Sequence, residues 1–194
     1  MNTGLFGSLS HRLPTSWGAT AETREKMKPM TFVYVSVLLI SMWPGITLGA
    51  EVGDPVPGFE TQSIEGTAIN LETIKGRNSL FLVFWATWCE TCKKEIPKLK
   101  EIYSTYGPKG MTFLAVNTSI NDSLKKAKRY VEKYEIPYPV IFDAGSEITK
   151  RFAVRGTPTI FIVDRQGIIR YRSADVPGDL AEHFDALMKA GGES

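Results

Sequence analysis

The apolar residues of this chain fall into short continuous runs separated by segments of helical periodicity. Three of the runs are SLFLVFWAT at 79–87, MTFLAVN at 111–117 and YPVIFD at 138–143. Runs of this length with few polar positions are typical of strands buried on both faces of a parallel sheet. Two further runs, TIFIVD and IIRYRS, flank Arg165-Gln166-Gly167 and predict an antiparallel hairpin.

The segments between the runs repeat apolar residues every three or four positions, which predicts amphipathic helices. The first ends at Gly107-Pro108, and because its pattern continues past Pro97, that proline predicts a kink rather than an end. The second begins near Asn121 or Asp122 as its N-cap, and SEITKRFAV predicts a short third helix. The predicted core-facing residues are Cys92, Ile96, Leu99, Tyr103 and Tyr106 in the first helix, Leu124, Ala127, Val131 and Tyr134 in the second, and Leu180, Phe184, Leu187 and Met188 in a closing helix.

Ahead of the first buried run, residues 51–78 are rich in turn residues. They predict a leading β-hairpin that turns near Glu65-Gly66, a short helical turn and a loop at Gly76. Together with the later runs and helices, this order of elements predicts an α/β fold, a sandwich with a mixed central sheet flanked by helices.

The chain begins with a segment of different character. Pro29 to Ala50 contains no charged residue, Lys26 and Lys28 precede it, and Glu51 follows it. The pattern fits a signal peptide cleaved after LGA, and it fits equally an uncleaved membrane anchor with its basic side in the cytoplasm. On either interpretation, residues 1–50 are a signal peptide or N-terminal membrane anchor that places a domain at 51–194 in the periplasm or another extracytoplasmic space.

Composition narrows the class of protein. The chain has 194 residues, 43% of them hydrophobic and 23% charged, which is enough for one globular domain. Basic side chains are in excess in the first fifty residues, so the net charge of +2 leaves the remainder neutral. A neutral body gives no electrostatic reason to expect a nucleic acid partner. The chain's two cysteines cannot form a disulfide framework, so an apolar core must hold the fold.

The two cysteines, Cys89 and Cys92, lie in FWATWCETC, where the first buried run becomes a helix. A structural zinc site needs four ligands, but only one histidine, His183, follows the leader. A c-type haem site needs a histidine where the chain has Lys93. The zinc and haem interpretations therefore fail, while binding of Cu(I) by two thiolates stays open.

A disulfide across two residues closes a small loop and stabilises a fold weakly, which disfavours a purely structural bridge. At the start of a helix, unpaired backbone N–H groups and the macrodipole favour a thiolate at Cys89. Cys92, one turn later, can reach back to resolve a mixed disulfide. The spacing therefore predicts a redox-active dithiol without a metal ion.

FWATWCETC, the helix with Pro97, and RGTPTIFIVD at 155–164 together resemble thioredoxin-fold thiol-disulfide oxidoreductases. More narrowly, they resemble the exported, often membrane-tethered TlpA/ResA-like proteins associated with cytochrome c maturation. The resemblance covers residues 51–194. It includes the leading hairpin and an extra strand-helix insertion at 111–135.

This resemblance implies a role for each matching residue and no cofactor. Cys89 would be the attacking nucleophile and Cys92 the resolving thiol. Thr157-Pro158 would form a cis peptide facing them, and the Thr157 backbone would pair with an extended substrate segment. Trp88 would offer an apolar surface to the substrate beside the sulfurs, while Trp85 would belong to the core.

The chain also departs from the family pattern. Many thioredoxins carry a buried acid six residues before the first cysteine, where this chain has Val83, and a proline where it has Thr91. Glu90 is a candidate proton carrier for Cys92, but it is equally a first-turn glutamate that favours the helix dipole. A thiol peroxidase of the superfamily would need Thr or Ser where this chain has Ala86, so peroxidase activity is not expected.

The residues between the cysteines bear on the direction of electron flow. A carboxylate at Glu90 opposes a thiolate at Cys89, which disfavours the reduced form and favours a reducing potential. We therefore expect a reductant of disulfides in exported proteins such as apocytochrome c, resupplied by a membrane thiol electron donor. The alternatives are a disulfide oxidase or isomerase of the same fold and, in another class, a non-enzymatic Cu(I) carrier.

Overall fold

The computed structural model describes residues 50–178 and 180–189, apart from the side chains of His183, Met188 and Lys189. The predicted signal peptide or anchor lies outside these residues except for Ala50, and so does the side chain of Met188 in the predicted closing face. Within the described ranges, no helix has the length and apolar character needed to cross a bilayer.

The described residues alternate strands and helices in the predicted order. The strands are β1 Glu60–Gln62, β2 Ala68–Asn70, β3 Ser79–Trp85, β4 Met111–Asn117, β5 Val140–Phe142, β6 Thr159–Val163 and β7 Ile169–Ser173. The α-helices are α1 Leu71–Ile74, α2 Glu90–Tyr106, α3 Leu124–Lys133, α4 Glu147–Arg151 and α5 Leu180–Lys189. Single 3₁₀ turns precede β4 and α4.

The central sheet has five strands in the order β5-β4-β3-β6-β7. β3 pairs parallel with β4, and β4 with β5, whereas β6 and β7 run antiparallel to their neighbours. β1 and β2 form a separate antiparallel hairpin, and Gly66 in its turn has a φ of +92°, a value that suits glycine. The predicted α/β fold with a mixed sheet and a leading hairpin is therefore confirmed.

β3 is buried along its whole length, as its unbroken apolar run predicts. Its side chains alternate between two core clusters, with Phe81, Val83 and Trp85 in one and Leu80, Leu82 and Phe84 in the other. The first cluster also holds Leu99 and Ile102 of α2 and the buried residues of α3 and α5, and both cysteines belong to it. The candidate site is therefore continuous with the core on this face of the sheet.

The structure corrects three details of the predicted elements. β3 ends at Trp85 rather than Thr87, because Thr87 bonds to the loop after β4 instead of to a strand. The N-cap of α3 is Ser123, whose Oγ accepts from the Lys126 backbone, and not Asn121 or Asp122. Leu124 is 42% exposed, so it does not share the buried face of α3.

Candidate active site

The cysteine pair lies where β3 leads into α2. Cys89 is the N-cap of α2, and the backbone N–H of Cys92 donates to Cys89 Sγ over 3.1 Å. The two sulfurs form a disulfide of 2.13 Å, and both residues are buried. A sulfur that accepts a backbone N–H at a helix start is placed to carry negative charge once the disulfide is reduced. This contact distinguishes Cys89 from Cys92.

The loop before β6 faces the same sulfur. The carbonyl oxygen of Thr157 lies 3.4 Å from Cys89 Sγ, and the Thr157–Pro158 peptide bond is cis. Pro158 is buried and lines a cavity together with Cys92. The structure therefore brings Thr157, Pro158 and the two cysteines together, as the family resemblance implied they would lie.

The cavity beside Cys92 is small, about 20 Å³, which is room for about one water molecule. Its walls are mainly apolar, formed by Val83, Trp85, Ile96, Leu99, Ala115, Tyr130, Ile136, Tyr138, Pro158 and Ile160, with Cys92 and Glu95. Two buried polar atoms of these walls, Trp85 Nε1 and Tyr130 Oη, have no hydrogen-bond partner. Cys92 therefore faces a sheltered space in which few groups can exchange a proton.

The two phenols of the cavity cannot serve as bases near neutral pH. Burial, reinforced by the nearby Tyr134 and Glu90, raises the pKa of Tyr130 to about 12. Burial, with a smaller contribution from Tyr130, also raises the pKa of Tyr138 well above its ordinary value. Both hydroxyls therefore keep their protons and act only as hydrogen-bond donors or neutral acceptors.

The two glutamates of the first turns of α2 differ in position. The Glu90 side chain is 78% exposed and its carboxylate lies 3.9 Å from Lys93 Nζ, at the surface. Glu95 is half-buried. It is the one carboxylate among the residues that line the cavity together with Cys92. Glu95 is not among the site residues predicted from the sequence, although its spacing of three residues from Cys92 on a helix places both on one face.

The loop after β4 holds the segment that precedes the cysteines. Trp88 Nε1 donates to the carbonyl of Ile120 over 2.8 Å, and the indole is 52% exposed beside Cys89. Asp122 accepts from the backbone N–H and the hydroxyl of Thr87 and from the amide of Asn117, over 2.7–2.9 Å. These bonds tie the loop after β4 to the 86–88 segment and so fix the approach to the disulfide.

Burial alone would raise the pKa of Asp122, but the hydrogen bonds from Asn117, Thr87 and Ser123 outweigh it and hold the pKa below its ordinary value. A carboxyl with a lowered native pKa stabilises the fold above its unfolded pKa of about 3.9, and this stabilisation is lost as the pH falls through the native value.

Asp122→Asn is therefore expected to lower the free energy of unfolding by about 1–3 kcal/mol at pH 7, because an amide NH₂ must replace one acceptor oxygen among several donors. Urea titrations at pH 7 and pH 3 measure this, and the difference from wild type should shrink at pH 3. The exposed Glu132→Gln serves as control. A deficit of equal size at both pH values would contradict the proposed role of the charge.

The fold and the site together define a thioredoxin-like thiol-disulfide oxidoreductase, with a cysteine pair at a helix start opposite a cis-proline loop. A family model described as AhpC/TSA matches residues 52–172, and the chain belongs to this family. Among curated relatives, the thiol-disulfide oxidoreductase ResA of Bacillus cereus is 34% identical over 151 residues, which is 73% of this chain and 86% of that protein.

Other relatives extend the same relationship. The ResA of Bacillus subtilis is 26% identical over 177 residues, which is 86% of this chain and 97% of that protein. The crystal structure of a putative thiol:disulfide interchange protein DsbE from Chlorobium tepidum superposes with a TM-score of 0.62, covering 74% of this chain and 99% of that one. Its identity is 24%, so this likeness bears on the fold alone.

Proposed function

We propose that this protein reduces disulfides in exported proteins through the Cys89–Cys92 dithiol. The observation that carries the proposal is the position of Cys89, whose sulfur accepts the Cys92 N–H at the start of α2 and lies against the Thr157 carbonyl. A sulfur so placed is stabilised as a thiolate and has backbone beside it with which a substrate segment can pair.

The reaction proceeds by two exchanges. The Cys89 thiolate attacks one sulfur of a substrate disulfide, which forms a mixed disulfide and releases the other substrate sulfur as a thiolate. Cys92 then loses its proton and attacks Cys89 Sγ, which forms the Cys89–Cys92 disulfide and releases the second substrate thiolate. Two electrons pass from the protein to the substrate, and a dithiol donor must return two electrons to the protein.

Glu95 is proposed as the group that receives the Cys92 proton. Cys92 faces the cavity, the phenols there stay protonated, and Glu95 is the carboxylate on the cavity wall. Glu90, the candidate from the sequence, lies at the surface with Lys93 and is proposed instead to act on Cys89 through its charge. A carboxylate beside Cys89 disfavours the thiolate and thus the reduced protein, which favours a reducing potential.

The proposed setting is extracytoplasmic. It rests on the uncharged segment before Glu51, interpreted as a signal peptide or as an anchor at residues 30–50, with the domain following from residue 51. In that space thiols are usually oxidised, so a membrane thiol donor would have to keep the pair reduced. The resemblance of its motifs to the TlpA/ResA-like group makes apocytochrome c one proposed disulfide-bearing substrate.

The reduction potential tests the direction of electron flow. Because the chain has two cysteines, alkylation of the full-length protein equilibrated in glutathione buffers reports the redox state as a mass shift of both thiols. We expect a potential of about −250 mV or lower, near that of thioredoxin. A value near or above about −200 mV would contradict a reductant and favour the oxidase or isomerase.

The same sample distinguishes the proposed reductant from the remaining alternative, a Cu(I) carrier. A Cu(I) carrier would bind one Cu(I) per dithiol tightly and would reduce insulin disulfides at a negligible rate. We expect the opposite: rapid insulin reduction in the presence of dithiothreitol, with Cu(I) lost readily to a competing chelator.

A further inference from the structure

Three exposed apolar side chains lie in the segment before Cys89 and in the loop to which it is bonded. Trp88 is 52% exposed, Ile120 48% and Leu124 42%, which makes them three of the four exposed large hydrophobic residues in the described part of the chain. Trp88 directly precedes Cys89, its indole bonds to Ile120, and Leu124 begins α3 at the end of the same loop. Solvent-exposed apolar side chains grouped at a reactive centre indicate a surface that a partner covers.

The exposed face of α3 continues this surface with positive charge. Lys125, Lys126, Lys128 and Arg129 are all exposed, and none of them forms a salt bridge with another described residue. Three lysines elsewhere in the described chain, Lys75, Lys93 and Lys150, pair with a glutamate three residues earlier. The cluster on α3 is therefore an unbalanced charge on a body that is neutral overall.

The topology places this charge next to the sulfurs. β3 and β4 are parallel, so the disulfide after β3 and the start of α3 after β4 lie at the same edge of the sheet. The buried face of α3 contributes Tyr130 to the cavity that Cys92 lines, and Tyr130 contacts Trp85 at 5.0 Å between ring centroids. The first turns of the same helix carry Lys125, Lys126, Lys128 and Arg129, so this charge lies at the sheet edge that holds the reactive site.

We propose that these residues form a docking surface for an acidic segment of the protein that exchanges its disulfide with Cys89. We call this surface the basic rim, comprising Trp88, Ile120, Leu124, Lys125, Lys126, Lys128 and Arg129. The inference rests on the proposed function, because the docked protein is the one that reacts. The apolar residues supply contact area, and the charges steer the partner and set its orientation over distances of about 10 Å.

A protein occupant fits this surface better than a lipid surface. The basic rim runs up to Trp88 and the disulfide, so a membrane that covered it would also block Cys89 from its substrate. Acidic side chains of a partner would instead bring a substrate disulfide toward Cys89 while pairing with the lysines of α3.

The test compares two double charge reversals in the full-length protein. Lys125→Glu/Lys128→Glu changes the basic rim. The matched control, Arg77→Glu/Lys109→Glu, makes the same net change with exposed residues that precede β3 and β4, at the opposite edge of the sheet. The substrates are two synthetic peptides, each with one disulfide, flanked by glutamates in one and by glutamines in the other, and the neutral 2-hydroxyethyl disulfide.

We expect the reduced wild-type protein to react about tenfold faster with the acidic peptide than with the neutral one at low ionic strength, a preference that added salt removes. The basic-rim variant should lose this preference, the control variant should keep it, and both should reduce 2-hydroxyethyl disulfide at the wild-type rate. No preference in the wild-type protein, or an equal loss in both variants, overturns the inference.

Two further outcomes would show that the surface binds lipid or that the proposed function itself is wrong. If the basic-rim variant keeps the peptide preference but loses binding to phosphatidylglycerol vesicles, the surface serves lipid and the inference is wrong. If the wild-type protein does not reduce 2-hydroxyethyl disulfide at all, the proposed function has failed and the docking inference fails with it. Normal reduction of the neutral disulfide without a peptide preference rejects the docking inference alone.

Discussion

Cys89→Ser is expected to abolish reduction of protein disulfides, with a loss of about 10³-fold or more, because the serine hydroxyl is not a thiolate that can attack sulfur. Cys92→Ser is expected to lose turnover as completely but to keep the first exchange. Its Cys89 thiolate, still held by the backbone N–H of residue 92, should attack the substrate and remain joined to it.

Non-reducing electrophoresis and mass spectrometry after incubation with a disulfide-bearing protein distinguish the two variants. The Cys92→Ser protein should accumulate as a mixed disulfide that dithiothreitol releases, and the Cys89→Ser protein should not. Thr105→Ser, a conservative change at an exposed position near the end of α2, serves as a control that should retain turnover. If instead the Cys89→Ser protein formed the trapped species, the assignment of nucleophile and resolving thiol would be reversed.

Glu95→Gln is expected to slow release of the substrate by about 10²-fold near neutral pH, because Cys92 would lose its proton acceptor inside the cavity. The first exchange at Cys89 does not need this proton transfer, so mixed disulfide should accumulate transiently. The deficit should narrow as the pH rises, since hydroxide can then deprotonate Cys92 directly. Stopped-flow mixing with acid quench at several pH values resolves the two steps.

The matched control is Glu90→Gln, which removes a carboxylate from the same helix at the surface. It should leave the rate of the second step within about twofold of wild type. It should raise the reduction potential, because the negative charge that disfavours a thiolate at Cys89 is then removed. Equal slowing by both substitutions, or a Glu95 deficit that does not depend on pH, would contradict proton transfer through Glu95.

The sequence was sufficient to predict the sheet and the position of the reactive pair. The buried strands could be predicted because both faces of β3 and β4 are covered, which leaves few polar positions in their apolar runs. The cysteine pair could be predicted because its chemistry depends on local spacing and on the start of one helix. Features of this kind are encoded by near neighbours in the chain.

Features that depend on segments distant in the chain could not be predicted from the sequence. Asp122 was expected as a helix cap, but Thr87 and Asn117, brought close by the sheet, use its oxygens, and Ser123 caps the helix instead. The role of Glu95 could not be predicted, because helical periodicity gives the direction of its side chain but does not show that a cavity lies in that direction. Leu124 has the spacing of a core residue, yet at the first position of α3 it is 42% exposed.

The burial of the disulfide has a thermodynamic consequence. Both cysteines belong to the apolar cluster beneath α2, so oxidation and unfolding form one closed cycle of free energies. Each ~30 mV by which the native pair is more reducing than the unfolded chain's dithiol corresponds to about 1.4 kcal/mol of extra resistance to unfolding in the oxidised protein. A reductant built this way is less stable while it carries electrons and regains stability on giving them up. The higher stability of the oxidised protein thus contributes to the free energy that drives reduction of the substrate.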